Sequence, residues 1–426
     1  MRPTMNHTTA QPRLPVLVVG GGVAGMQAAL DLANLGTFVF LAEKDSHLGG
    51  QVMRLDKVYP TDHCAFCPTW THAKACREHP LISVATDTLF SSLEPSAQGK
   101  TATLVRCGRP IDAANCVFCG TCIEICPQKA ILHHAKDLPF DPSVPPVPYL
   151  DEKLCDSCGI CVEACPAKAI TLKREDEVIR LDVSDCIFAG GFYEPSPDLP
   201  PVPVPEFGPY THPDIMTAMA FEEWSAEFQP GFPSALVCPS DGHPVKSLAF
   251  IRCAGARDRR YLEHCSAVCC MHASKQAAWM KRRHPDLDVI VFYTDLRGPG
   301  KGQEAYIRIA KNLGVRFYRR RPGLIAPVDG ALGKGIAIRH ETESGVGTTL
   351  ADIVILNGGL ACSQPETHTP SPAAPAGKQC GFCAEPADIA HSVIQASNVA
   401  ALTFLHGRGN NGTGASTTLI PEGESA

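Results

Sequence analysis

Cysteine spacing is the strongest chemical signal in this chain, because twelve of its 21 cysteines fall at intervals suited to iron–sulfur clusters. Eight of them form two copies of the run Cys-x2-Cys-x2-Cys-x3-Cys-Pro, whose close spacing lets one loop wrap one [4Fe–4S] cluster. Thiolates suit iron because they are soft, strongly donating ligands. Zinc is the alternative for paired CxxC motifs, and the x3-Cys-Pro ending argues against it. The eight ligands are Cys116, Cys119, Cys122, Cys126, Cys155, Cys158, Cys161 and Cys165.

The two runs together have the pattern of a bacterial two-cluster ferredoxin, in which the fourth cysteine of each run binds the other cluster. The pattern therefore predicts two crossed ligand sets. One cluster is expected on Cys116, Cys119, Cys122 and Cys165, and the other on Cys155, Cys158, Cys161 and Cys126. A proline-rich linker over 137–149 joins the runs. Proline lacks the N–H that a helix or sheet requires, so neither is expected in the linker.

Four further cysteines predict a third cluster at less regular spacing: Cys253, Cys265, Cys269 and Cys270. Free cysteine is often buried as a small apolar side chain, so a role in the core is the alternative. The adjacent pair at the start of a predicted helix, with two more cysteines within 17 residues, favours a cluster.

A glycine-rich turn near the start of the chain predicts a dinucleotide site. An apolar strand over 14–19 leads into Gly20-Gly21-Gly22-Val23-Ala24-Gly25. A helix over 26–35 and a strand over 37–41 follow, and the acidic Glu43 comes directly after that strand. Strand, turn, helix, strand and acidic residue in this order form the dinucleotide-binding fingerprint, which NAD and FAD share.

Each residue of the fingerprint has a physical role. Gly20 permits the tight turn, Gly22 lets the backbone approach a pyrophosphate, and Gly25 lets the helix and strand pack closely. Free N–H groups and the dipole at the helix start favour the anion. Glu43 is expected to accept a hydrogen bond from the adenosine ribose. A glycine-rich turn without a ligand is the alternative.

A second sheet is predicted from about residue 247, with the order of a nucleotide-binding domain but without its glycines. The strand over 247–252 is followed by Cys253-Ala254-Gly255-Ala256-Arg257-Asp258, where a glycine cradle would be expected. A strand over 288–294, a helix over 303–313 and a strand over 315–318 come next. NAD(P)H therefore has no evident docking place, which indicates that electrons arrive by contact with proteins.

The first domain resembles FAD-dependent flavoproteins of the disulfide-reductase and thioredoxin-reductase kind. Lys44, Gly49 and Gly50 are similar to the second phosphate-side loop of those proteins, and Gly190 lies where a strand predicted over 178–192 closes. The resemblance implies an α/β chain with an FAD-binding Rossmann-type domain, an inserted two-cluster ferredoxin domain and a second Rossmann-like domain. The predicted ranges are 14–105 for the FAD domain, 106–175 for the insert, 176–232 for the FAD-domain continuation and a proline-rich connector, 233–360 for the second domain, 361–406 for the end of the FAD domain, and 407–426 for a disordered tail.

Nearly the whole chain, about 14–406, resembles the A subunit of heterodisulfide reductase and, equally, the A subunit of the quinone-interacting membrane-bound oxidoreductase complex. The segments that carry the resemblance are Ser240-Asp241-Gly242, the stretch from Cys253 to Asp258, Cys265-x3-Cys269-Cys270-Met271, Lys275-Gln276-Ala277 and Phe292-Tyr293-Thr294-Asp295-Leu296-Arg297. The resemblance implies that the four cysteines hold an extra [4Fe–4S] cluster near FAD. It also implies that Lys275 lies beside the reactive edge of the flavin, where a cation stabilises the reduced, anionic ring. A solvated helix position is the alternative for Lys275.

The resemblance implies partners as well: the other subunits of a heterodisulfide reductase-like or quinone-linked complex, with a homodimer as a further option. The formal net charge of −6 and the lack of a basic stripe argue against nucleic acid. No run of about 18 apolar residues is present, so contact with a membrane is expected only through partners. The start, 1–13, lacks the apolar stretch of a secretory signal. Cysteines at ligand spacing indicate a reducing cytoplasm.

Nine cysteines remain outside these sets. Cys64 and Cys67 form a CxxC pair that fits a further cluster with Cys76 or a partner's ligand, a redox disulfide, or simple packing. Cys380 and Cys383 form a second such pair, with redox use, metal binding and packing as the alternatives. The lone cysteines Cys107, Cys186, Cys238 and Cys362 are expected in the core.

The sequence thus predicts an oxidoreductase that relays or bifurcates electrons between FAD, [4Fe–4S] clusters and partner subunits. A stand-alone NAD(P)H-dependent iron–sulfur flavoprotein reductase is the second hypothesis, and the missing glycine cradle counts against it. A non-catalytic scaffold for clusters is the third, and the intact fingerprint with Glu43 counts against that.

Overall fold

The computed structural model describes residues 14–97, 99–112, 115–132, 148–151, 154–172, 175–195, 212–225, 236–330, 333–363 and 377–409. Most of the predicted proline-rich linker, most of the connector after residue 194 and nearly all of the predicted tail lie outside the described residues.

Eight helices and 23 strands are present in the described ranges. The helices are α1 (Val23–Asn34), α2 (Phe66–Glu78), α3 (Thr121–Ile125), α4 (Ile160–Ala164), α5 (Ala218–Ser225), α6 (Cys269–Arg283), α7 (Gln303–Asn312) and α8 (Ile389–Gly409). The strands are β1 (Val16–Val19), β2 (Val39–Ala42), β3 (Lys57–Val58), β4 (His63–Cys64), β5 (Ile82–Ala85), β6 (Thr88–Ser96), β7 (Gly99–Arg106), β8 (Ile131–Leu132), β9 (Tyr149–Leu150), β10 (Glu177–Val183), β11 (Asp185–Phe188), β12 (Phe192–Tyr193), β13 (Ile215–Thr217), β14 (Ser247–Arg252), β15 (Gly255–Leu262), β16 (Asp288–Phe292), β17 (Arg316–Tyr318), β18 (Leu324–Gly330), β19 (Gly333–Thr342), β20 (Gly345–Ala351), β21 (Ile353–Asn357), β22 (Ala361–Cys362) and β23 (Lys378–Gln379). Two short 3-10 turns, Gly50–Arg54 and Gly381–Cys383, complete the elements.

The first domain is built on a parallel sheet with strand order β23-β11-β1-β2-β5. All four residues of β1 are buried, which is typical of a parallel strand covered on both faces. Val16 and Val18 face α1 and α8, and Leu17 and Val19 face the antiparallel sheet β10-β7-β6. The domain therefore has three layers: helices, a parallel sheet and a small antiparallel sheet.

The ferredoxin-type insert enters this domain at one end of the antiparallel sheet. Arg106, the last residue of β7, pairs with Glu177, the first residue of β10, and the insert lies between them in the chain. Within the insert, α3 and α4 pack together, β8 pairs with β9, and Ile111 bridges to Ile170. Because strands β7 and β10 stay paired on either side of it, the insertion leaves the sheet intact.

The second domain repeats the three-layer arrangement with a different sequence. Its parallel sheet has the order β13-β21-β14-β16-β17, and its small antiparallel sheet is β18-β19-β20. Leu248 and Phe250 of β14 pack against α6, whereas Ala249 and Ile251 face the antiparallel sheet. This confirms the predicted second Rossmann-like domain.

One predicted strand is divided in the structure. The range 178–192 contains β10, β11 and β12, and the first two separate at Ser184. Strand β10 is mostly exposed or half-buried and joins the antiparallel sheet, whereas β11 is almost wholly buried and pairs with β1. The sequence prediction treated the two strands as one and did not distinguish the exposed strand from the buried one.

None of the helices in the described ranges combines the length and apolar content that a membrane-crossing helix requires.

Candidate redox sites

A cavity of about 640 Å³ opens at the carboxyl ends of β1 and β2. This flavin cavity, as we name it, is the one that the glycine-rich turn was predicted to form. The predicted cofactor residues along its wall are Gly20, Gly22, Glu43, Lys44, Gly49, Gly50 and Gly190. Its size is within the range of cavities that enclose large cofactors.

Gly25 does not line the cavity but lies behind it, where α1 packs against the turn. A Cβ atom placed on Gly25 would lie 1.7 Å from the backbone oxygen of Gly20, so no side chain fits between α1 and the turn. A Cβ on Gly22 would meet only the Cα of Gly50, at 4.0 Å, which leaves open space in front of the helix start. Gly20 adopts a φ of 105°, which only glycine adopts readily. The turn thus presents backbone N–H groups to an anion in the cavity.

Glu43 fixes the turn and also faces the cavity. One carboxylate oxygen accepts the N–H of Gly21, and the other accepts the N–H of Asp45 at 2.9 Å. Burial, with the nearby charge of Asp45, raises the pKa of Glu43 to about 7. A ribose hydroxyl within reach of this carboxylate would supply a hydrogen bond that water supplies only poorly at a buried site.

Polar residues that the sequence motifs missed complete the wall of the flavin cavity. Arg54 forms a 2.6 Å ion pair with Glu223, and Asp388 accepts the N–H of His391. Glu194 accepts the N–H groups of Ala218 and Met219 at the start of α5, and burial raises its pKa to about 7. These residues belong to no short motif, so only the tertiary fold identifies them.

The twelve predicted cluster ligands meet in three groups, each around a small cavity. Two groups lie in the insert and correspond to the crossed sets. The first cluster site is lined by Cys116, Cys119, Cys122 and Cys165, and the second by Cys126, Cys155, Cys158 and Cys161. Four thiols around one void suit a [4Fe–4S] cluster, which takes one thiolate per iron. Among the described residues, no group is arranged to hold a single metal ion.

The two sites of the insert are related by a repeated local geometry. Cys126 and Cys165 each accept a backbone N–H from the residue four positions later, both at 3.3 Å. One of the positions at which they differ lies beside a thiol: the hydroxyl of Thr121 lies 3.3 Å from Cys119 Sγ, whereas Ile160 occupies the corresponding place in the second site. Thr121 therefore supplies one more polar contact to the first site than Ile160 does to the second.

The third cluster site lies at the carboxyl end of β14. Cys253 directly follows that strand, Cys265 lies in the connection, and Cys269 and Cys270 begin α6. All four line one small cavity. Burial raises the pKa of the Cys253 thiol and raises that of Cys269 to about 12, so both thiols would keep their protons near neutral pH without a metal centre. The geometry fits a third cluster.

Lys275 is held away from the flavin cavity. It is not among the residues that line the cavity, and it is buried on α6, where its ammonium group binds the carboxylate of Glu222 and, at 3.0 Å, the backbone oxygen of Lys57. Glu222 also accepts hydrogen bonds from Asp56 N–H and Gln276. Burial alone would raise the pKa of Glu222, but Lys275 and His272 outweigh it and hold the pKa well below its usual range. Lys275 is therefore not the solvated residue of the alternative prediction.

Cys76 does not join the CxxC pair at the start of α2, which corrects one of the predicted ligand sets. A helix rises about 1.5 Å per residue, so Cys76 lies roughly 13 Å from Cys67 along α2. Its buried thiol faces the backbone oxygen of Met26 at 3.7 Å, and burial raises its pKa to about 12. A cluster shared by Cys64, Cys67 and Cys76 is therefore incompatible with this helix.

The second CxxC pair lies beside the flavin cavity but is satisfied by the backbone. Cys383 faces the carbonyl oxygens of Phe188 and Cys380 at 3.4 and 3.2 Å. Cys362 faces that of Phe382 at 3.2 Å. Buried thiols with these acceptors need no further partner, which favours the packing alternative.

Comparisons with known proteins agree with this geometry. The family model for FAD-dependent oxidoreductases matches residues 15–106, and the model for the 4Fe–4S binding domain matches 109–132 and 148–171. Two solved structures share the overall fold at low identity. Lactococcus lactis thioredoxin reductase has a TM-score of 0.52 at 12% identity, covering 93% of this chain and 100% of that one. The thioredoxin reductase of T. acidophilum has a TM-score of 0.51 at 11% identity, covering 92% and 98%.

Curated relatives are similar over most of this chain. One of them, an iron–sulfur A subunit of CoB–CoM heterodisulfide reductase from Methanopyrus kandleri, is 35% identical over 378 residues, which is 83% of this chain and 54% of the relative. The corresponding protein of Methanocaldococcus jannaschii is 32% identical over 365 residues, or 81% and 53%. A second such protein of M. kandleri is 34% identical over 348 residues, or 79% and 51%. This chain thus spans about half the length of the curated relatives that it matches.

Proposed function

We propose that this chain, which is similar over most of its length to heterodisulfide reductase A subunits, is the FAD- and [4Fe–4S]-containing electron-transfer subunit of a heterodisulfide reductase-like complex. One observation carries the proposal: the two parallel sheets have corresponding edges, and one edge carries a glycine cradle whereas the other carries four cysteines. A nicotinamide reductase of this fold would need a second cradle.

The residues of the flavin cavity have defined tasks in this proposal. Gly20 and Gly22 present N–H groups to the pyrophosphate, and Glu43 accepts from the ribose. Lys44, Gly49, Gly50 and Gly190 shape the rest of the wall. A bound FAD would exchange electrons in pairs or singly, whereas each cluster carries one electron. The chain therefore joins two-electron and one-electron chemistry, as a relay or a bifurcating centre.

Three clusters are proposed, one at each group of four cysteines. The insert holds two of them at its surface-facing loops, where Cys119 and Cys158 are exposed. The third cluster site is more enclosed, since none of its four cysteines is exposed. An exposed pair of clusters suits exchange with protein partners, and an enclosed cluster suits exchange within the chain.

The partners belong to the proposal as well. We expect other subunits of a heterodisulfide reductase-like or quinone-linked complex, or a second copy of this chain, in the cytoplasm, with a membrane reached only through those partners. Any disulfide substrate would bind to a partner subunit. No nucleic acid is expected, in keeping with the net charge of −6.

The role of Lys275 beside the flavin is also a proposal, and it can be tested directly. Its ammonium group must exchange Glu222 for the flavin edge, so the role requires movement of α6 or of β3, which carries Lys57. Lys275→Met should lower the flavin reduction potential if the lysine reaches the ring. An unchanged potential with loss of stability would assign the residue to the buried ion pair alone.

The experiment that decides between the two functions measures iron, sulfide and flavin in the anaerobically purified chain and then adds NAD(P)H. About twelve irons and one FAD, with bleaching by dithionite and none by NAD(P)H, are expected for the electron-transfer subunit. Rapid bleaching by NAD(P)H would instead favour a stand-alone NAD(P)H-dependent reductase. About eight irons would remove the third cluster from the proposal.

A further inference from the structure

Two polar side chains end the two central strands of the second parallel sheet. Arg252 is the last residue of β14, Asn357 is the last residue of β21, and the two are partners in the strand register. Partners on adjacent strands point to the same face of the sheet. Both residues are only 2% exposed, and both line the third cluster site.

Most polar atoms of this pair lack a hydrogen-bond partner in the described part of the chain. Arg252 contacts Cys270 Sγ through Nη2, but its Nε and Nη1 are buried without a partner. The same holds for Nδ2 and Oδ1 of Asn357. Buried donors without acceptors are costly, and a buried cation without a counter-charge is more so. The geometry therefore calls for an anionic, acceptor-rich group at this place.

The neighbouring charges do not supply that group. Arg257 and Asp295 also line the site, but they form an ion pair with each other at 2.5 Å. Arg297 donates its backbone N–H to Cys270 Sγ at 3.1 Å. Within the described ranges no carboxylate forms an ion pair with Arg252. The four thiolates and the cluster that they hold are the counter-charge that remains.

We propose that Arg252 and Asn357 set the reduction potential of the third cluster and make it the highest of the three. The inference rests on the proposed function, which places a cluster at these cysteines. Reduction adds one electron and one negative charge to the cluster, and no bond forms or breaks. A buried guanidinium and an amide N–H stabilise that added charge, because water is excluded and screening is weak.

The two sites of the insert provide the contrast within the same molecule. No lysine or arginine is among the described residues that line them. The second site is instead bordered by the carboxylate of Asp156, which disfavours a further negative charge. Electrons that enter the chain should therefore collect at the third cluster before either ferredoxin-type cluster is reduced.

An electron paramagnetic resonance titration of the full chain tests this order. Flavin and iron are measured first on the same sample, and the third cluster's signal is identified as the one that Cys253→Ala removes. The wild-type chain should reduce that cluster at the highest potential. Arg252→Gln should shift its reduction equilibrium at least tenfold, or about 59 mV for a one-electron couple, toward the oxidised form. Arg252→Lys, which keeps the cation, should shift it much less.

The outcomes separate this inference from the proposed function. Missing iron or flavin in the wild-type chain counts against the proposed function itself. Full cofactor content with the third cluster reduced last, or with no shift in Arg252→Gln, overturns the inference. If Arg252→Gln does not retain its iron, Asn357→Leu replaces it: a lowered potential for the third cluster alone supports the inference, and an unchanged one overturns it.

Discussion

The two parallel sheets of this chain carry different candidate sites at the same structural position. Each sheet is covered by helices on one face and by a three-stranded antiparallel sheet on the other. In each, the strand that begins the nucleotide-type fold, β1 or β14, lies in the middle, and the candidate site opens at its carboxyl end. That end is where such sheets bind ligands, because the strand order reverses there and leaves a crevice.

The connection after the central strand decides what is bound. Only residues 20–22 separate β1 from α1, so the helix start itself faces the cavity. Residues 253–268 separate β14 from α6, and they carry two cysteines and the strand β15. A short glycine turn binds through backbone N–H groups, whereas a long connection binds through side chains. The fold fixes the place of the site, and the loop fixes its chemistry.

Backbone conformation separates the two kinds of site as well. Nine non-glycine residues in the described ranges have positive φ. Seven of them lie in the three cluster-binding segments: Phe118, Lys129, Ser157, Lys168, Cys253, Arg257 and Ala267. Such conformations cost energy and persist where surrounding contacts over-determine them. The cluster loops thus store strain that a bound cluster would help to hold, whereas the flavin turn avoids it through glycine.

Removing the third cluster alone would break the comparison most sharply. Cys253→Ala should lose about four irons per chain and keep its FAD, because the four cysteines line one cavity and the flavin cavity is formed by the other sheet. Iron and flavin analysis measures both. Cys238→Ala, a buried cysteine of the same domain outside the site, is the matched control and should keep every iron. Unchanged iron in Cys253→Ala would refute the assignment of the third cluster.

The reverse experiment removes the flavin and spares the clusters. In Gly25→Val a Cβ would fall 1.7 Å from the backbone oxygen of Gly20, so α1 must move away from the turn. We expect loss of FAD with all irons retained, because the cysteines lie in the insert and the second domain. Gly323→Ala, where a Cβ meets nothing within 4 Å, should behave as the wild type. Retained flavin in Gly25→Val would show that the turn does not bind the pyrophosphate.

The sequence alone predicts the candidate sites because ligand spacing is a local property. Glycines of the turn, the doubled cysteine run and the alternation of strands and helices all lie within short segments. Arg252 and Asn357 were missed as site residues, although both leave a signal: each is a polar residue that ends a strand directly after a run of four apolar residues. Their pairing depends on β14 and β21 being neighbours, which are separated by about a hundred residues of chain.

The positions of Cys76 and Lys275 depend on tertiary packing and could not be predicted from the sequence. The separation of Cys76 from Cys67 follows from α2 being a helix, which the sequence did not predict. The position of Lys275 follows from Glu222, which belongs to a different helix. Both are cases in which one residue's role depends on a distant element.

A smaller effect concerns the acid at the end of β2. Burial raises the pKa of Glu43 from 4.5 to about 7, so between these values the folded chain keeps a proton that the unfolded chain releases. The free energy of unfolding of the flavin-free protein should therefore fall as pH rises from 4.5 to about 7 and then level off. One pKa unit corresponds to about 1.4 kcal/mol, so Glu43 contributes a few kcal/mol to this fall.

Denaturant unfolding of the flavin-free wild type and of Glu43→Gln across this range measures the contribution. The variant should lose part of the pH dependence, because glutamine carries no titrating proton. Glu194→Gln is the matched variant, since burial also raises the pKa of Glu194 to about 7. Identical pH dependence in the wild type and Glu43→Gln would mean that Glu43 does not retain its proton on folding.

The smallest expected effect tests whether single hydrogen bonds tune clusters that share one backbone geometry. A Cys119 thiolate carries no hydrogen, so the Thr121 hydroxyl, 3.3 Å away, must donate to it. Thr121→Val removes this donor and makes the first site resemble the second, where Ile160 stands. Its cluster should then be reduced less readily by less than a tenfold change in the equilibrium, or below about 59 mV. Ile160→Val keeps this position of the second site apolar and should not move its cluster. If Thr121→Val also leaves the potential of the first cluster unchanged, any difference between the two clusters must arise from charges such as Asp156. Charged side chains, including Arg252 at the third site, would then be the means by which this chain orders its clusters.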